Sequence, residues 1–172
     1  RVESCYNYGE IIAESATRAT GGIVGNNTGA PIVNCYNAAN INAGSKCANV
    51  GGIAGFSNQA IENCYNVGAI SGKSGSANSI AGSASGAVTN CYYLDSTAAD
   101  KNARPLPAAD INTARFATKL GAAFGSLGSG APVLMWQMGA KAVAAFDVTP
   151  EDAVVTLTPA AQTAAGEKNV FL

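Results

Sequence analysis

Gly21-Gly22-Ile23-Val24-Gly25, followed by Ile32-Val33-Asn34-Cys35-Tyr36-Asn37, returns as Gly51-Gly52-Ile53-Ala54-Gly55 followed by Ile61-Glu62-Asn63-Cys64-Tyr65-Asn66. The Cys-Tyr pair inside it occurs four times, at Cys5, Cys35, Cys64 and Cys91, with separations of 30, 29 and 27 residues. Other positions move in step. Asn34, Asn63 and Asn90 directly precede the last three cysteines, and Ile11, Ile41 and Ile70 each follow one by six residues. Ile80-Ala81-Gly82 is a third copy of the apolar triplet, led in by Asn78-Ser79 instead of Gly-Gly. This many coincidences at one period define an internal repeat.

A period of that length suits a helical repeat or a coil of a β-solenoid. Composition decides between them. The units are built from Gly, Asn, Ser, Thr and Ile without a 3.6-residue apolar period, and each glycine costs a helix interior about 1 kcal/mol relative to Ala. Short strands between turn residues fit better. In the third unit they are predicted over 50–55, 60–65 and 68–71, with bends at 56–59 and 66–67. Stacked coils pair each strand with its equivalents above and below at about 4.7–4.9 Å. Identical residues then form files along the axis. Ile23/Ile53/Ile80 and Ile11/Ile41/Ile70 are predicted as inward apolar files, and Asn34/Asn63/Asn90 as a ladder of mutually bonded amides. The expected fold is therefore mainly β: a parallel solenoid of about three to four coils over residues 1–94.

The glycine-led Ile-Val-Gly and Asn-Cys-Tyr-Asn motifs resemble the GLUG-type repeat. That repeat is found in large bacterial surface and secreted proteins, including filamentous-haemagglutinin-like adhesins and the non-catalytic parts of some IgA-specific proteases. The resemblance covers about residues 1–94 and speaks for architecture far more than for activity. It implies an extracellular or cell-surface location, neighbouring domains in a longer chain, and a host or cell-surface glycan or protein as partner. The chain opens inside the repeat pattern and ends in what reads as an unfinished strand, so both ends are expected to be cut from something longer.

Beyond the repeats, residues 95–106 read as a polar loop. A helix is predicted over 107–124, with Phe116, Ala117, Leu120, Ala123 and Phe124 on one face, ended by Gly121 or Gly125. A buried strand carrying Trp136 is predicted over 131–137. Together, residues 95–141 are expected to cap the open end of the stack, whose unpaired strand edges invite aggregation. Residues 142–172 alternate like the opening strands of a truncated β-sandwich module.

The chain's 172 residues are only 12% charged, with net charge −1 and no histidine. Such a balance gives no electrostatic footprint for nucleic acid. No apolar run approaches the ~18 residues of a membrane span. The missing histidine excludes Ser-His-Asp and Cys-His catalysis and His-ligated metals. Cys5, Cys35, Cys64 and Cys91 are expected as a structural file of buried free thiols, weighed against disulfides or a soft metal, with Cys47 outside the register. The carboxylates are scattered, and only Glu10 and Glu62 stand at strand-like positions within or beside the repeats, in different places of their units. No catalytic residue and no cofactor is expected. Tyr6, Tyr36, Tyr65 and Tyr92 form a second file, read either as an outward ligand-facing row or as corner packing with wet hydroxyls. Asn26-Asn27-Thr28 matches a glycosylation sequon without further support.

The expected role is a non-catalytic structural or adhesive segment, a rigid stalk or display surface. The alternatives are a carbohydrate- or protein-binding module using the Tyr and Asn rows, and an accessory domain of a larger extracellular hydrolase.

Overall fold

The structure is a computed structural model that describes residues 1–14, 16–73 and 75–138; the module expected over 142–172 lies outside them. The first coil holds β1 (Val2–Glu3), β2 (Tyr6–Asn7), β3 (Ile11–Ala13), β4 (Thr20–Gly21) and β5 (Val24–Asn27). The second repeats this as β6 (Ile32–Val33), β7 (Tyr36–Asn37), β8 (Ile41–Ala43), β9 (Val50–Gly51) and β10 (Ala54–Ser57). The third holds β11 (Ile61–Glu62), β12 (Tyr65–Asn66), β13 (Ile70–Ser71), β14 (Ala77–Asn78) and β15 (Ala81–Ala84). A partial fourth contributes β16 (Val88–Thr89) and β17 (Tyr92–Leu94). Equivalent strands pair in parallel and in register, so Val2, Ile32, Ile61 and Val88 lie in one file and Tyr6, Tyr36, Tyr65 and Tyr92 in another. The expected β-solenoid is the fold found.

Two apolar columns fill its interior. Ile32, Ile53, Ile61 and Ile80 pack with Cys35, Cys64 and Cys91, all buried. Ile41 and Ile70 pack with Val50 and Cys47. Both predicted isoleucine files therefore point inward. The predicted amide ladder is also present: Asn63 donates to Asn34 at 3.2 Å and Asn90 to Asn63 at 2.8 Å. Ser4, Asn34, Asn63 and Asn90 all have φ between 51° and 56°. This left-handed turn is one that Asn tolerates better than most residues, and it swings the chain into the Cys-Tyr strand.

Gly-Gly leads into the apolar triplet because the coil above leaves no room for more. A Cβ on Gly22 would lie 2.2 Å from the Gly52 carbonyl oxygen, and one on Gly52 would lie 2.2 Å from that of Ser79. In the third unit Asn78-Ser79 takes their place, and there the next layer is no longer a coil. Ser79 is fully buried and its hydroxyl bonds Thr97 Oγ1 and the Ala98 carbonyl.

The layer that closes this end is residues 95–106, expected as a loop. β18 (Arg104–Leu106) adds in parallel to β17, and its Pro105 lacks a backbone donor on the outermost strand, which blunts that edge. Ala98 and Ala103 cover the two interior columns. Asp100 completes the hydrogen bonding. Within the stack the Ile53 carbonyl accepts from the amides of Ile23 and Val24, and the Ile80 carbonyl from those of Ile53 and Ala54. For Ile80 and Ala81 no further coil exists, and Asp100 Oδ2 accepts from both at 2.9 and 3.0 Å. A buried carboxylate thus stands in for the carbonyl of an absent isoleucine.

The predicted helix is two pieces, and it lies along the flank of the stack instead of over its end. α1 (Ala108–Ile111) stops at Asn112. α2 (Ala114–Leu120) restarts because the Thr113 side chain accepts from the Phe116 amide, a regular N-cap. Gly121, at φ 106°, ends α2, as expected. Phe124 falls outside the helix, in β19 (Phe124–Gly125), which pairs antiparallel with β20 (Val133–Leu134). The strand expected over 131–137 ends there: Met135–Met138 form a short helical turn, α3, and Trp136 is 61% exposed, not buried. The apolar face of α2 seats against the tyrosine file, with Phe116 edge-on to Tyr65 and Tyr92.

Asp100→Ala should leave two buried amides without an acceptor and lower unfolding stability by roughly 2–4 kcal/mol, with Asp100→Asn recovering part of it. Urea unfolding followed by circular dichroism checks this; equal stability of all three proteins would show that Asp100 does not close the stack.

Candidate functional site

The tyrosine flank is where the residues singled out in the sequence meet the rest of the chain. Tyr6 and Tyr36 stack at 5.6 Å and 16°, and Tyr36 and Tyr65 at 5.0 Å and 1°. Tyr92 keeps the register, with its ring edge-on to Phe116 at 5.2 Å. Phe116 and Phe124 also pack on Tyr65, and Phe124 on Tyr36. The row is therefore a second core, in which Tyr36 and Tyr65 are each 1% exposed. The hydroxyls of its two central members are not wet: Tyr36 donates to Gln137 Oε1 at 2.9 Å and Tyr65 donates to the Pro132 carbonyl. Both readings made from the sequence need correction here. Tyr36, Tyr65 and Tyr92 are neither an outward platform nor a wet corner, because the segment after α1 folds back along them, and Tyr6 alone of the four is exposed.

Among the described residues, only the first-coil end of the row opens to solvent. Tyr6, Tyr8 and Trp136 are 40%, 56% and 61% exposed. Tyr6 lies 5.0 Å from Tyr8 and 5.6 Å from Trp136, whose indole donates to the Ser4 carbonyl at 3.2 Å. The Tyr8 hydroxyl shares a 2.7 Å hydrogen bond with that of Tyr36. Beside them lies a cleft of about 410 Å³, lined by Tyr8, Tyr36, Val67, Ile111, Leu127 and Ser129 among others, and every lining side chain is uncharged. Tyr8 escaped the sequence reading because it does not repeat, whereas Trp136 was expected in a buried strand and instead lies at the surface.

The cysteine file is formed as predicted in position: the Cys5 amide points to Cys35 Sγ and the Cys35 amide to Cys64 Sγ, each at 3.4 Å. Cys5, Cys35, Cys64 and Cys91 are free thiols. Burial pushes the Cys64 thiol well above its ordinary pKa, with the neighbouring thiols adding to the rise, and burial also raises partly exposed Cys5, whereas the hydrogen bond with the Cys64 side chain lowers Cys35. A buried thiol raised in this way, as Cys64 is, packs as a small hydrophobe and is a poor nucleophile. Cys47, outside the file, is buried against Ile41 and Val50 and donates to the Ala13 carbonyl.

A further amide ladder lies in the Cys-Tyr-Asn motif itself. Asn7 donates to Asn37 at 2.8 Å and Asn37 to Asn66 at 2.7 Å. Asn37 and Asn66 are fully buried, seated against Gly22 and Gly52. The motif displayed these asparagines; what the spacing did not reveal is that they face inward. Glu62 pairs in register with Val33 and Thr89, and Glu10 accepts from the Asn42 amide. Among the described residues no cluster of three or more Cys, Asp or Glu is arranged to hold a metal ion, and no helix is long and apolar enough to cross a membrane. In comparisons with known proteins, no family model, curated protein or solved structure matches the chain.

Burial drives the phenol of Tyr65 far above its ordinary value near ~10. The folded state thus favours neutral Tyr65: its contribution is intact below the unfolded pKa and fades as pH rises beyond it. Stability should fall above about pH 10, by up to about 1.4 kcal/mol per pH unit for each such tyrosine. Tyr65→Phe should fall less steeply; melting temperatures from pH 8 to 11 check this, and identical slopes would refute the assignment.

Proposed function

We propose that the chain is a non-catalytic structural segment of a bacterial cell-surface or secreted protein, a stiff rod that spaces or displays neighbouring domains. One observation carries the reading. The groups able to do chemistry, namely the thiols, the inner amides and most of the phenols, are bonded to their own equivalents coil after coil or sealed beneath the flank. A surface built this way presents shape and stiffness before it presents reactivity. The resemblance to GLUG-type repeats supports the extracellular setting.

Antibodies raised against residues 1–138 should label intact, unpermeabilised producing cells or their culture medium. Signal found only after lysis would overturn the reading.

The open aromatic cluster favours a second reading, a binding module for a neutral saccharide. Three exposed rings provide flat apolar faces, and the adjoining cleft offers hydroxyls without a single charge. Its volume falls within the ~300–1,000 Å³ typical of small-molecule sites. Trp136 is the chain's one tryptophan and reports on that cluster. The structural reading expects its emission to stay unchanged across a panel of neutral oligosaccharides. A saturable change that disappears in Tyr8→Ala moves the assignment to binding.

A further inference from the structure

The cysteine file is a set of nucleophiles that the proposed role leaves idle. Its four thiols share one conformation. Cys5, Cys35, Cys64 and Cys91 each donate to the carbonyl two residues earlier, at 3.3, 3.2, 3.1 and 3.3 Å. The last three sulfurs also lean toward the coil before them. Cys35 Sγ lies 3.4 Å from the Cys5 amide nitrogen, Cys64 Sγ 3.4 Å from that of Cys35, and Cys91 Sγ 3.5 Å from the Ile61 carbonyl oxygen. Neighbouring thiols hydrogen-bond one another from Cys5 through Cys91.

The coils are copies displaced along one axis, so like atoms of neighbouring cysteines are separated by the coil rise of about 4.7–4.9 Å. That spacing decides what can join two sulfurs. A disulfide needs an S–S bond of about 2.05 Å and a Cβ–Cβ separation of roughly 3.5–4.5 Å. Two coils would have to close on each other to form one, against every other in-register file. A linear sulfur–metal–sulfur unit needs no such movement. At a metal–sulfur distance near the ~2.3 Å of zinc thiolates, it spans about 4.6 Å.

The donor set then chooses the ion. Zinc takes four ligands in its closed sites, and among the described residues no group of three Cys, Asp or Glu converges to begin one. Soft cations of the Cu(I) and Ag(I) class prefer thiolates, and two in line satisfy them.

We propose that Cys35 and Cys64 form a two-coordinate site for a soft monovalent cation of the Cu(I) and Ag(I) class, which staples the second coil to the third. Both residues are fully buried. They pack among Ile32, Ile53, Ile61 and Ile80, where the ion meets no competing side-chain oxygen. Both sulfurs accept from a backbone amide, the kind of outer hydrogen bond that supports a metal-bound ligand. On binding, each thiol gives up the proton it now donates to the Val33 or Glu62 carbonyl. Two protons leave to solvent, two metal–sulfur bonds form, and the metal keeps its oxidation state. The product carries one net negative charge, shared by two sulfurs that each hold an amide donor. Cys47 belongs to the other interior column, with Ile41 and Val50, and serves as the internal control.

The test uses the full chain, folded and kept reduced by a phosphine, with Ag(I) nitrate as a redox-inert probe. Native mass spectrometry at one equivalent should show one Ag(I) per chain. Circular dichroism should stay unchanged and the melting temperature should rise, as for an ion that binds the folded state. Silver X-ray absorption on that complex should find two sulfur neighbours and no nitrogen or oxygen. Zn(II) at the same concentration should leave the melting temperature where it was. Cys35→Ser and Cys64→Ser should each lose the ion, and Cys47→Ser should keep it. Retention of Ag(I) by both Cys35→Ser and Cys64→Ser would overturn the proposal. So would a melting temperature lowered by Ag(I), the mark of binding to the unfolded chain. A wild-type absorption spectrum with one sulfur, or with oxygen neighbours, would do the same even where the serine variants fail to fold. None of these results depends on where the parent protein works, so the site and the proposed role fail separately.

Discussion

Parallel, in-register stacking imposes one condition on every position of the repeat: a side chain must tolerate a copy of itself about 4.8 Å away. Isoleucine, cysteine, tyrosine and asparagine satisfy it, each in its own way. Isoleucine buries against isoleucine, thiol meets amide, ring stacks on ring, and an amide both donates to and accepts from the next amide. Ionised side chains do not satisfy it, since like charges directly opposite one another in a sheet are destabilising. The files respect this. Glu3 and Glu62 belong to the same file but are separated by Val33, and Thr89 follows. The scarcity of charge in the chain, 12% of its residues, agrees with the same condition.

The condition also explains where the repeat breaks its own rules. Gly52 is glycine because of Ser79 above it, and Ser79 is free to carry a side chain because its own neighbour is the cap. The departures of the last unit are thus not decay of the pattern. They appear at the layer where copying ceases to be required and closure begins. Asp100 belongs to the same logic: two amides that every other coil satisfies with an isoleucine carbonyl receive a carboxylate instead.

Periodic positions were legible in the sequence because stacking writes itself into spacing. The coil boundaries, both isoleucine files, the cysteine file and the Asn34/Asn63/Asn90 ladder could all be placed from the register of Cys-Tyr. What occurs once leaves no such trace. Asp100 is a single acidic residue in a polar stretch. The break at Asn112-Thr113 hides within a run whose apolar spacing suits one continuous helix, although Thr113 was there to be read as an N-cap. The fate of the tyrosines was beyond reach for a related reason. Register places them in a file but cannot say which side of the strand the rest of the chain will cover.

The flank matters for how the stack behaves as a body. In a plain solenoid each coil touches only its neighbours, and stability is a sum of local terms. Here the segment that contacts Tyr92 through Phe116 also bonds Tyr65 through Pro132, Tyr36 through Gln137 and Ser4 through Trp136. It therefore ties the partial fourth coil to the first along one side. Loosening any coil disturbs a brace shared by all of them, so local fraying is coupled to the whole length. The brace is built from rings and hydroxyls that would otherwise face water.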